Sequence, residues 1–150
     1  MNSIIRKSRV AIVVGEFNSD ITGSLLRCCR QELLKHGVRE KQISVVSVPG
    51  AYELPFAAQK LAKTKKFAAV ICLGCVIKGE TSHDIHVATW ASVGIGQASL
   101  NTGVPILFGV LTPRTEAQAR KRSQPGPLNR GKEIAKAAVR MILFNRQGLR

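Results

Sequence analysis

Residues 67–77 read FAAVICLGCVI, eleven positions without one charged or hydroxyl-bearing side chain. A strand with one wet face alternates apolar and polar residues, whereas a strand covered on both faces of a parallel sheet reads as a continuous apolar run. Three shorter runs read as further strands: 9–14 (RVAIVV), 43–48 (ISVVSV) and 105–111 (PILFGVL).

Helical patterns fill the intervals. Ile21, Leu25, Leu26, Cys29 and Leu33 recur at helical spacing over 21–36, and Gly37 ends that helix as its C′ residue. Residues 51–62 (AYELPFAAQKLA) follow the second strand, with Pro55 close enough to the start to be tolerated. A long helix is expected over 81–101, closed by Thr102-Gly103. Two helices over 116–122 and 132–144 are separated by the breaker run Gln124-Pro125-Gly126-Pro127. Strands alternating with helices imply right-handed crossovers and a parallel sheet covered on both faces. The expected fold is one α/β domain over 1–150, a doubly wound three-layer sandwich on a four-stranded parallel sheet. Ligands of such sheets bind beyond the carboxyl ends of the strands, near a topological switch point. That rule singles out Phe17-Asn18, 49–53, 77–83 and 111–115.

Composition narrows the class. The chain has 150 residues, 45% of them hydrophobic, enough for a single core. No run has the length of a membrane span and the N-terminus has no signal-peptide pattern, so the expected location is the cytoplasm. Cys28 and Cys29 fall in a helical pattern and Cys72 and Cys75 in a strand, which reads as buried thiols in a reducing compartment. The net charge of +14 favours anionic partners.

Just beyond the apolar run lies GETSHDIH, residues 79–86. Gly79 lets backbone approach a ligand, Thr81 or Ser82 can cap the next helix, and that helix N-terminus suits a phosphate. His83 beside such an anion could exchange protons near neutral pH; an ordinary structural histidine fits the pattern as well. His83 and His86 at i, i+3 could share a metal, but Asp84 and Glu80 point elsewhere and the one other histidine, His36, is remote in sequence. Neither GxGxxG nor GxxxxGK[ST] nor GxSxG occurs, which removes the dinucleotide, P-loop and serine-hydrolase readings. Gly94-Ile95-Gly96 lies inside a helix and reads as close packing.

Taken in order, FN after the first strand, VPGAYELP after the second, GCVIKGETSH after the third and PILFGVLT at the fourth resemble the lumazine synthase family. The resemblance runs from about Arg9 to Phe144 and implies a flavodoxin-like fold. It also implies the penultimate step of riboflavin biosynthesis: 5-amino-6-(ribitylamino)uracil condenses with 3,4-dihydroxy-2-butanone 4-phosphate, with no cofactor and no metal. By the same resemblance Phe17, beside Asn18, would stack on the pyrimidine, and main chain at Val76 and Ile77 would bond its edge. Ala51, Tyr52 and Glu53 would hold the ribityl chain, and Gly79, Glu80 and Thr81 the phosphate. His83 would move protons, Arg122 would hold the phosphate, and Phe108 and Arg130 would reach the site across a subunit boundary. The family commonly places an aromatic and then an acid after this histidine; here Asp84 and Ile85 stand there, so the acid is turned about 100° around the helix.

A site shared between chains implies an oligomer, and the family resemblance implies a pentamer, with a sixty-subunit shell left open. The short segment before the first strand offers few residues to extend a neighbour's sheet. One substrate phosphate per subunit does not account for +14, so weak, salt-sensitive association with RNA or other polyanions is a further expectation.

Overall fold

A computed structural model describes residues 2–147. Its elements are α1 (Ser3–Lys7), β1 (Val10–Gly15), α2 (Ser19–Lys35), β2 (Ile43–Val48), α3 (Leu54–Lys63), β3 (Ala69–Cys75), α4 (His83–Thr102), β4 (Ile106–Leu111), α5 (Glu116–Ser123) and α6 (Arg130–Gln147), with short 3-10 turns at Glu40–Gln42 and Ala51–Glu53. All strand pairs are parallel and the sheet order is β2-β1-β3-β4. This is the expected doubly wound sandwich, and the order reverses between β1 and β3.

Pleating explains why 67–77 needs no polar alternation. Val10, Ile12, Val14, Ala69, Ile71 and Leu73 pack into one core with Leu25, Leu33, Ala135 and Ile142 of α2 and α6. The intervening Ala11, Val13, Val70 and Cys72 pack into a second core with Leu54, Ala58, Ala91 and Ile95 of α3 and α4. Each residue of β1 and β3 is buried, because successive side chains enter opposite cores. Only edge strand β2 alternates partly exposed and exposed positions along its second half.

The structure amends several expectations. The third strand, Ala69–Cys75, is shorter than 67–77: its pairing with β1 ends at Leu73, and beyond that the chain continues only along β4, through Val76 N–H to the Leu111 carbonyl at 2.8 Å. The segment before β1 is not a bare lead-in but α1, capped by the Asn2 side chain and burying Ile5 in the α2–α6 core. Gly94 does mark close packing, since a Cβ there would stand 2.7 Å from Pro55. Gly96 does not: a Cβ there meets nothing within 4 Å. Gly37 and Gly103 end their helices at φ 97° and 68°, conformations that an L side chain resists. All four cysteines are free, with Cys29, Cys72 and Cys75 buried.

Candidate active site

The switch point between β1 and β3 carries a cavity of about 640 Å³, within the usual range for small-molecule sites. Phe17, Asn18, Ala51, Tyr52, Glu53, Val76, Ile77 and His83 line it. Three separate strand ends supply these residues, and each is held locally.

At the end of β1 the ladder to β2 continues through Glu16 N–H to Val48 O and Phe17 N–H to Pro49 O, at 2.8 and 3.0 Å. Asn18 then turns the chain in the left-handed region, φ 59°, which asparagine tolerates better than most residues. As N-cap of α2 its side chain would ordinarily accept from that helix; instead its amide donates to Cys75 O at 3.0 Å and ties β1 to β3. The result leaves the Phe17 ring 74% exposed, a flat apolar face without a protein partner covering it.

At the end of β2 the Glu53 carboxylate accepts from the Gly50 N–H at 3.0 Å, closing the 3-10 turn around Ala51 and Tyr52. Trp90, which sequence reasoning missed, pins this turn from α4: its Nε1–H donates to Tyr52 O at 3.1 Å, and the two rings lie 5.8 Å apart. The β2 turn, through Trp90, is thereby fixed to the helix that begins with His83.

At the end of β3, Val76 and Lys78 donate their N–H groups to β4-side carbonyls at 2.8 and 3.0 Å. Alternation turns the intervening Ile77 N–H to the opposite side, over the end of β1. There it is available to an acceptor in the cavity.

Gly79, Glu80 and Thr81 form the loop into α4. A Cβ on Gly79 would meet nothing within 4 Å, so open space, not protein packing, adjoins this glycine. Ser82 is the N-cap by position but makes no side-chain cap bond; the Thr81 hydroxyl accepts from His83 N–H at 3.3 Å instead. Asp84, the displaced acid, accepts a long bond of 3.4 Å from Gly79 N–H, yet it does not point away as expected: it lines the cavity together with His83 and His86. The His83 ring is exposed and has no hydrogen-bond partner among the described residues. His86, one turn on, lines the same cavity, as i, i+3 spacing allows.

Gly79, Glu80 and Thr81 line a neighbouring concavity with Phe108, which adjoins the first through the shared Val76 and Asp84. Arg122 and Arg130 line a third with Phe108, Val110 and Lys121. Within one protomer Arg122 therefore stands apart from the cavity of His83, where sequence reasoning had put it, and is grouped with Phe108 and Arg130. The reason is topological. Arg122 lies in the last turn of α5 and Arg130 begins α6, both beyond β4, on the side of the sheet opposite α4.

Asn129 organises this arginine pair. It is 2% exposed, its amide donates to Ser123 O at 2.6 Å and Gln124 O at 3.1 Å, and its Oδ1 accepts from Lys132 N–H at 2.9 Å. The breaker loop is thus closed by one side chain, which also caps α6.

The cavity wall contains one buried thiol, Cys75, whose pKa burial pushes up to about 11, with a smaller upward contribution from Asp20. It is accordingly no nucleophile near neutrality. No helix among the described residues is long and apolar enough to cross a membrane. An aromatic face, an unused main-chain donor, a carboxylate-closed turn and a histidine at a helix start surround one cavity at the switch point, in the order in which the strands deliver them. Residues 7–146, nearly the whole chain, match the family model described as 6,7-dimethyl-8-ribityllumazine synthase, and the chain belongs to that family of enzymes of riboflavin biosynthesis.

Proposed function

We propose that this chain is an active lumazine synthase, condensing 5-amino-6-(ribitylamino)uracil with 3,4-dihydroxy-2-butanone 4-phosphate. The products are 6,7-dimethyl-8-ribityllumazine, inorganic phosphate and two waters. The observation that carries the reading is the convergence of Phe17, Glu53, Ile77 and His83 on one cavity. The pyrimidine stacks on Phe17 with its edge on the main chain at Val76 and Ile77. The ribityl hydroxyls meet Ala51, Tyr52 and the Glu53 carboxylate, an acceptor suited to several donors. The phosphate rests at Gly79, Glu80 and Thr81, where the α4 N-terminus supplies free N–H groups and a favourable dipole.

Chemistry then needs little beyond positioning and proton transfer. The 5-amino group adds to the ketone carbonyl and water leaves, giving an imine. Loss of phosphate follows removal of a proton from the carbon chain, and attack of the ribityl-bearing nitrogen on the new carbonyl closes the ring with loss of the second water. His83, exposed at the mouth of the cavity, takes and returns these protons.

Phe108, Arg122 and Arg130 complete the phosphate end from a neighbouring copy. Two features support a second copy: these residues face a separate concavity, and α4 exposes Ile85, Trp90, Val93 and Leu100 in addition to its buried Ala91, Ile95 and Ala98. Such a contact is head-to-tail and closes into a ring, here a pentamer. Four free thiols suit a reducing cytoplasm.

The test is a turnover assay with both substrates, following product absorbance, on wild type, His83→Ala and Arg122→Ala. Each variant loses rate. Unfolded and refolded together in equal amounts, they regain about a quarter of wild-type activity, the random share of contacts that pair an intact His83 with an intact Arg122. Wild type no faster than the spontaneous condensation would overturn the enzymatic reading; absence of rescue would overturn the shared site.

A further inference from the structure

The end of the sheet remote from the cavity is lined by cations almost without acids. Before β1 stand Arg6, Lys7 and Arg9; before β2, Arg39 and Lys41; before β3, Lys63, Lys65 and Lys66. All eight are exposed, and none has a carboxylate partner among the described residues. The same connections, residues 6–9, 39–42 and 63–68, hold one acid, Glu40, which is paired with Arg30 of α2.

Topology makes one surface of these three segments. The order β2-β1-β3 sets their strand starts side by side, with Val10 in register with both Ile43 and Ala69, and Ala68 N–H bonded to Arg9 O at 2.8 Å. Adjacent strands are about 4.8 Å apart, so the strand starts that carry these cations are spaced by less than the Debye length of about 8 Å at physiological salt. Their repulsion is incompletely screened. Helix dipoles favour Arg6, Lys7 and Lys63, which sit in last turns, and the Lys65 ammonium caps the Thr102 carbonyl of α4. Those local roles account for single residues, not for the missing acids across three loops.

We propose that this basic pole is a binding surface for the phosphate backbone of nucleic acid, separate from the catalytic cavity. Strands of six or seven residues hold the two ends about 20 Å apart. A row of flexible ammonium and guanidinium groups with no acid to exclude a phosphodiester fits a polyanionic chain without base selectivity. Anionic membrane is the poorer fit. None of the exposed large apolar side chains lies in these three segments, and Phe67 is buried beneath the Arg9 guanidinium, which stands 5.2 Å from its ring centre. These three segments thus bring no exposed apolar group of their own to a bilayer interface; Leu100 and Phe144 belong to the flanking ends of α4 and α6.

The experiment is fluorescence anisotropy of labelled oligouridylate with the full chain in its native assembly. With about five phosphate contacts, affinity falls on the order of a hundredfold between about 50 and 200 mM salt. The pair Lys7→Gln with Lys66→Gln weakens binding about tenfold and flattens the salt slope by about 1.4, while lumazine-forming activity and thermal midpoint stay at wild type. A control pair of equal charge change away from the pole, Arg27→Gln in the middle of α2 with Arg114→Gln just after β4, has a markedly smaller effect. No binding at low salt, or an equal loss in the control pair, overturns the proposal. So does tighter binding to phosphatidylserine–phosphatidylcholine vesicles than to RNA at matched salt, which would assign the pole to a membrane surface.

Discussion

Replacing Asn129 by alanine tests the framework that holds the two arginines. The side chain makes three hydrogen bonds while 2% exposed, two as donor to Ser123 O and Gln124 O and one as acceptor from Lys132 N–H. Loss of the cap costs about 1 kcal/mol. The two carbonyls left without a donor add about 1 kcal/mol or more between them, the Ser123 contact being fully buried and the Gln124 contact partly so. The expected loss is about 2–3 kcal/mol, or a fall of roughly 4–12 °C in thermal midpoint at this chain length. Urea unfolding at fixed protein concentration reads it, the concentration being held because any assembly contributes to the midpoint. Asn129→Asp separates the two contributions: it keeps the cap oxygen and removes both donors, setting a carboxylate against two carbonyls. If the donors dominate, Asp is at least as damaging as Ala. In the enzyme the same change raises KM for the four-carbon phosphate while leaving KM for the pyrimidine close to wild type, because Phe17 and the β2 turn are untouched. A loss under about 0.5 kcal/mol, the level of an ordinary surface substitution, would refute the assignment of Asn129 as the closure of this loop.

The glycines separate packing from permissiveness. Gly94→Ala drives a methyl into Pro55 and destabilises by about 1–3 kcal/mol, whereas Gly96→Ala, with open space around it, stabilises an isolated protomer by up to about 1 kcal/mol; a loss at Gly96 would instead place it against another copy, and urea melts distinguish these. Glu53→Gln keeps an acceptor for Gly50 N–H but removes the charge, so KM for the ribityl substrate rises with little change in unfolding midpoint. Burial pushes the Cys29 and Cys75 thiols up to about 12 and about 11. The folded chain therefore holds these protons after the unfolded chain has released them, and stability is full below the unfolded thiol pKa of about 8.5 and falls as pH rises from there through the folded values. Unfolding midpoints across that range, and an absence of native-state alkylation of Cys75 at pH 8 despite its place on the cavity wall, check this.

The layer order and the rim that carries the cavity were legible in the chain itself, because burial on both faces imposes continuous apolar composition on β1 and β3. The interval lengths then admit only parallel crossovers. Phe17, Glu53 and His83 were legible for a related reason: each follows a strand end, where the backbone must leave the sheet and a ligand can reach it. What a one-dimensional pattern does not carry is which side of the sheet a later segment occupies. Arg122 was grouped with His83 only through the family resemblance, which gives both a part in handling the phosphate substrate, yet the crossover from β4 puts α5 and α6 on the opposite face from α4. Trp90 was missed because its indole acts through a main-chain carbonyl thirty-eight residues away, and a carbonyl leaves no mark in sequence. The basic pole shows the same division. Its charge was countable from composition, but its gathering at one end followed from the β2-β1-β3 order, since only parallel strands bring three separate strand starts to the same edge.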